Sequence, residues 1–194
     1  MGIIAASVAI TLYLFGLTGL TSAALHRTGH GQKDPAPVSY EEDGTTSALA
    51  IRALEGTIQE LTYEQAYEGV TYEKEALVYV PASYTPGVPA NIVYLTHGWW
   101  GTADSLAEGV APVVDQLTSN GSIAPTLVVF ATYYPDRSFT TDDYEDDYAL
   151  NRFFATTEID TLIKAVESRY TTFARGDTSD ESLRASRRHR AFGG

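Results

Sequence analysis

Five consecutive residues carry the clearest chemical potential in this chain: His97-Gly98-Trp99-Trp100-Gly101. Their two glycines permit tight backbone geometry. At the C-terminal end of a strand, such a loop can present main-chain N–H groups to an oxygen that becomes negative during reaction. Donors fixed in advance stabilise that charge without reorganising, which is what acyl transfer to a serine needs. An ordinary turn between a strand and a helix, with two exposed or packing tryptophans, accounts for the same residues, and the loop alone does not separate the two readings.

The elements around the loop favour a site. Residues 91–96 form a short apolar run, and beyond the loop Leu106, Val110, Val113, Val114 and Leu117 recur at helical spacing until Asn120-Gly121 supplies a stop. Residues 126–131 are continuously apolar, as in a strand buried on both faces of a parallel sheet. Ile159, Leu162, Ile163, Val166 and Tyr170 mark the inward stripe of a second helix, and 189–193 is the candidate last strand. Upstream, 57–63 and 73–80 read as two strands of a hairpin. Strands alternating with helices predict an α/β fold, a mostly parallel sheet with flanking helices. The 97–101 loop then lies where open α/β sheets bind ligands.

Composition limits the partners. The 194 residues are 44% hydrophobic and 20% charged, with no cysteine and a net charge of −12, so nucleic acid and anionic surfaces are repelled and neutral substrates favoured. Disulfides and thiolate metal sites are excluded. Residues 3–20 are apolar and uncharged and precede small residues at 21–24, the pattern of a cleaved export signal. The first Lys or Arg, Arg27, falls on the far side of that run, and the rival reading is an uncleaved membrane anchor. The expected organisation is a signal peptide or anchor at 1–24, a disordered linker at 25–55 and an α/β domain at 56–194, secreted or held at a membrane; oligomeric state is left open.

The His-Gly-x-x-Gly strand end, the aromatic-rich strand end Ala131-Thr132-Tyr133-Tyr134-Pro135, the earlier strand Val78-Tyr79-Val80-Pro81 and the terminal Arg190-Ala191-Phe192-Gly193-Gly194 together resemble an esterase family of the α/β-hydrolase fold that includes feruloyl and acetylxylan esterases. The similarity covers about 56–194. It implies a serine carboxylic-ester hydrolase acting on acyl esters of plant cell-wall polysaccharide, needing no cofactor and no metal. It assigns Trp99 as the backbone oxyanion donor, with Trp100 as the fallback. Gly193 and Gly194 become the approach to a Gly-x-Ser-x-Gly nucleophile elbow, Gly194 being its first glycine.

The resemblance therefore covers an N-terminal portion that stops before the elbow, and the expectation is a partial fold without nucleophile, acid or base, inactive alone. His26 and His30 lie in the linker, His97 in the loop and His189 ahead of the elbow, each read as polar surface or local hydrogen bonding rather than a base. The run 142–147, with five acidic residues, reads as a solvated face rather than a calcium loop. Arg184, Arg187, Arg188 and Arg190 read as pairing with surface carboxylates. The alternative to an esterase is an exported, non-catalytic carbohydrate-binding module using Trp99 and Trp100.

Overall fold

A computed structural model describes residues 53–194; the 1–24 segment and residues 25–52 of the linker lie outside it. Strands β1 (Thr57–Tyr67) and β2 (Val70–Val80) form an antiparallel hairpin, from Thr57 opposite Val80 to Tyr67 opposite Val70. Glu68 and Gly69 close it with φ of 50° and 81°, the pair of left-handed residues that a two-residue turn needs to follow strand twist. Both strands outrun the apolar segments that mark them in the sequence. Between 64 and 72 most side chains are exposed, and main-chain pairing rather than burial continues the ladder.

β3 (Asn91–Thr96), β4 (Thr126–Ala131) and β5 (Arg190–Gly193) follow, giving the order β1-β2-β4-β3-β5. Pairing is parallel where helices intervene, β4 with β3 and β3 with β5, because a parallel neighbour requires a crossover. It is antiparallel where the hairpin joins through β2 and β4, so the five-stranded sheet is mixed.

Helix α1 (Ala103–Ser119) covers one face. The other is covered by α2 (Tyr148–Phe153), a π-helical turn (Phe154–Glu158), α3 (Ile159–Arg169) and, at its margin, Leu183 of α4 (Asp180–Ala185). All of β4 is buried: Leu127, Val129 and Ala131 face α3, and Val128 and Phe130 face α1. The α1 stripe includes Val110 and Val114 as expected, while Leu106, Val113 and Leu117 are only half-buried. Ala107, Ala111, Asp115 and Thr118 complete the inner face. Asp115 is inside for a reason: its carboxylate accepts the Gly56 N–H (2.8 Å), the Glu55 N–H (3.1 Å) and the Tyr79 hydroxyl (2.9 Å), fastening the start of β1 to the helix. Gly56 fits because a Cβ there would come 2.5 Å from the Val80 carbonyl oxygen.

A second polar knot lies under the opposite layer. Lys74 of β2 forms an ion pair with Glu158, which ends the π turn, and both side chains are 1% exposed. Tyr63 donates to the same carboxylate at 2.6 Å, and Lys74 Nζ donates to the Thr132 carbonyl at 2.8 Å. Burial pulls the Lys74 ammonium below its usual range, against the pull of Glu158. Burial first, and then Glu158, push the Tyr63 phenol well up. A buried pair of this kind contributes little net stability relative to an apolar pair, but removing one partner strands a charge. Glu158→Gln should therefore lower unfolding free energy by about 3 kcal/mol, and adding Lys74→Met should restore most of it. Urea unfolding of the two variants checks this; a single variant within about 0.5 kcal/mol of wild type would contradict it.

Candidate active site

The residues 97–101 leave the C-terminal end of β3 as a tight turn. Gly101 N–H donates to the Gly98 carbonyl at 2.9 Å, and Trp100, the third residue of the turn, has φ of +63°. A type II turn makes that demand at that position, and glycine or asparagine normally meets it. A tryptophan there stores about 1–2 kcal/mol of backbone strain. Gly101 is needed for a different reason: a Cβ would lie 2.8 Å from the His97 Cβ and 2.9 Å from the Gly98 oxygen. Added to Gly98, a Cβ would meet nothing within 4 Å, so that side of the turn is open.

Several contacts hold the turn. Thr102 caps α1 through a reciprocal box with Ser105, which joins the end of the turn rigidly to the helix and sets the positive end of the helix beside it. Arg137 Nη1 donates to the Gly101 carbonyl at 3.1 Å. The Trp100 indole Nε1–H donates to the Thr141 carbonyl at 2.7 Å, and the Trp100 main-chain N–H makes a longer contact, 3.4 Å, with the Tyr134 hydroxyl. The two indoles meet edge-on at 5.8 Å and remain 45% and 53% exposed for Trp99 and Trp100.

His97 is buried, not a surface group. Its Nδ1 lies 2.8 Å from the Gly98 carbonyl, which can only accept, so Nδ1 carries the proton and Nε2 accepts from Thr132 Oγ1 at 2.8 Å. Thr132 Oγ1 in turn accepts the Tyr134 N–H at 3.2 Å. Burial depresses the imidazole below its ordinary range. Both nitrogens of this neutral ring are thus occupied in shaping the loop. The ring also packs on Tyr133 and Tyr134 at 4.9 and 5.5 Å.

Register brings the other predicted residues to the same place. Leu95 of β3 is opposite Gly193 of β5, and Gly194 lies so close to Thr96 that a Cβ would collide with the Thr96 hydroxyl. The end of β5 therefore sits beside the residue that precedes His97. Arg190 fixes that strand, but through a buried rather than a surface carboxylate: its Nε donates to Glu167 at 2.6 Å, and Nη1 donates to the Leu183 carbonyl. Glu167 also accepts from Thr172 at 2.6 Å and Tyr94 at 3.2 Å. Arg184, Arg187 and Arg188 stay exposed. His189 stacks on Phe173 at 3.5 Å and meets Asn91, away from the turn.

The acidic run is not wholly solvated either. Asp147 is 2% exposed and accepts from the Tyr134 hydroxyl (2.6 Å), the Tyr133 hydroxyl (3.0 Å) and Thr141 Oγ1 (3.0 Å). Burial first, and then this carboxylate, raise the Tyr134 phenol above its ordinary range. Sequence reasoning missed Thr132, Arg137 and Asp147; the last was hidden among equally acidic neighbours, and the only signal was its position at the start of a helical segment. Among the described residues, no group of His, Asp and Glu is arranged to hold a metal ion.

No family profile matches the sequence. Among characterised proteins, endo-1,4-beta-xylanase Y of Acetivibrio thermocellus is 29% identical over 166 residues, which are 84% of this chain and 13% of that protein. Among solved structures, a protein described as FAE superimposes with a TM-score of 0.57 at 27% identity, covering 88% of this chain and 53% of its own. A serine-to-alanine mutant of the feruloyl esterase module from Clostridium thermocellum, complexed with sinapinate, superimposes with a TM-score of 0.54 at 29% identity, covering 71% of this chain and 44% of its own. The chain thus spans about half the length of these solved neighbours and a small part of the xylanase.

Strain at Trp100 gives a direct test of the turn. Trp100→Ala and Trp100→Gly lose the same indole contacts, but only glycine adopts the positive φ freely. The glycine variant should be more stable than the alanine variant by about 1 kcal/mol. Denaturant unfolding of the two measures the difference; equal stabilities would show that the left-handed residue relaxes.

Proposed function

We propose that this chain, a relative of the feruloyl esterases with the α/β-hydrolase fold, supplies the oxyanion-binding half of a serine carboxylic-ester hydrolase acting on acyl esters of plant cell-wall polysaccharide. The observation that carries the reading is register: the β3–β5 pairing sets Gly193 and Gly194 beside Thr96, at the threshold of the 97–101 turn. In this reading β5 runs toward a nucleophile elbow whose first glycine is Gly194, and the serine hydroxyl would emerge next to the turn. Attack on the ester carbonyl places negative charge on its oxygen, and main-chain N–H groups of the 98–101 turn, ahead of the positive end of α1, stabilise it. Trp99 N–H is the proposed donor. Trp100 is the weaker choice, since its N–H turns toward Tyr134. His97 is excluded as the base because both ring nitrogens already serve the loop.

The 194 residues contain no Gly-x-Ser-x-Gly, and we take them to be inactive when expressed alone, with nucleophile, acid and base provided by sequence of the kind found in the rest of the longer relatives. An exported protein is the setting that fits such a substrate. One observation favours a second reading, a carbohydrate-binding module: the edge-on, half-exposed pair of Trp99 and Trp100 offers apolar faces to a sugar ring.

The test joins these residues to the C-terminal half of a feruloyl esterase. The 194-residue chain alone should show no turnover of an activated acetyl or feruloyl ester above buffer, and the fusion should show turnover. In the fusion, Trp99→Pro, which deletes the backbone donor, should lower kcat by about 3 kcal/mol, roughly a hundredfold, while Trp99→Phe costs little. Equal losses from both would favour ring contacts and the binding module.

A further inference from the structure

We propose that Asp147 is the positioning residue of the 98–101 turn, gathering both of the polar handles of Trp100 onto one buried carboxylate; this rests on reading that turn as the oxyanion site. One path runs from the Trp100 main-chain N–H to the Tyr134 hydroxyl (3.4 Å) and on to Asp147 Oδ2 (2.6 Å). The other runs from the indole Nε1–H to the Thr141 carbonyl (2.7 Å), with the single proton of Thr141 Oγ1 shared between the Asp143 carbonyl (2.7 Å) and Asp147 Oδ1 (3.0 Å). The two paths close a ring that starts and ends on the same tryptophan, and each oxygen of the carboxylate serves one of them.

The chemistry fits an ionised acceptor. Oδ2 receives two phenols, from Tyr133 and Tyr134, and Oδ1 shares the Thr141 hydroxyl proton with the Asp143 carbonyl. An amide keeps an acceptor for the two phenols only with its nitrogen toward Thr141, where the hydroxyl can turn its proton to the Asp143 carbonyl. Because Asp147 is buried, these bonds face little competition from water, and charge-assisted bonds of this kind are the stronger class. The network acts against a defined opposing force, since Trp100 has a φ of +63° and relaxes to negative φ if released. Tyr134 also supports Arg137, whose guanidinium lies 5.9 Å from the ring centre and whose Nη1 bonds the Gly101 carbonyl at 3.1 Å. The residue touches no reacting atom; it acts through the turn.

The 194-residue chain has two tryptophans, both in this turn, so tryptophan circular dichroism in the near ultraviolet reports on it directly and requires no turnover. Asp147→Ala should abolish the tryptophan bands while far-ultraviolet dichroism is retained. Tyr134→Phe should weaken them, having lost one path and kept the other, and Asp147→Asn, whose amide can serve both, should weaken them less than Asp147→Ala. Val166→Ala, a core truncation in α3, should lower Tm and leave the bands intact. Wild-type bands in folded Asp147→Ala would overturn the proposal, as would loss of the bands in Val166→Ala. If Asp147→Ala does not fold, Tyr134→Phe decides the matter in the same way, unchanged bands overturning the proposal. An inactive fusion with the expected spectra would count against the esterase reading alone and leave Asp147 as the residue that holds the turn.

Discussion

Thr132, one residue past the end of β4, gives its hydroxyl to His97 Nε2, and much of the site depends on that bond. The Gly98 carbonyl, which accepts from Nδ1–H, sets the tautomer of His97, and the Thr132 hydroxyl then satisfies Nε2 and holds the ring that shapes the chain as it leaves β3. The same hydroxyl accepts the Tyr134 N–H, and the Thr132 carbonyl accepts Lys74. A single residue thereby couples the loop after β3, the aromatic pair after β4 and the ion pair of Lys74 with Glu158. Buried polar groups of this density are stable only when each is satisfied, so the sheet ends and the helices over them hold one arrangement together.

Rigidity and strain are combined at the turn. Trp100 adopts a backbone conformation that tryptophan disfavours, while α1 is capped immediately after it and Gly101 packs on His97 too closely for any side chain. A preset donor acts only if it does not move when charge develops. The polar network and the capped helix provide that fixity, whereas the open side of Gly98 leaves room for a ligand.

Much of the fold is legible in the sequence because it follows from period and punctuation. The continuous apolar run of β4 announces burial on both faces, and the helical spacing of Leu162, Ile163 and Val166 announces α3. The His97–Gly101 loop and the approach at Gly193 and Gly194 are legible as a resemblance, and strand pairing explains why they converge. Long-range polar pairing is not legible. Beyond its place at the start of a helical segment, little distinguishes Asp147 from Asp146, or Glu167 from other acids on an amphipathic helix, because their roles are set by Tyr134 and Arg190, contributed by other elements. The outer halves of β1 and β2 escape for the opposite reason: exposed polar residues form strand there only because a partner strand is present.

The central claim is that the 98–101 turn is preset in the absence of any substrate. Amide hydrogen exchange followed by NMR measures this most directly, because the Gly101 N–H is closed by a 2.9 Å bond to the Gly98 carbonyl. The account predicts that the Gly101 amide exchanges with protection comparable to that of amides in the middle of β3. Exchange at the rate of an unstructured peptide, with β3 still protected, would contradict it.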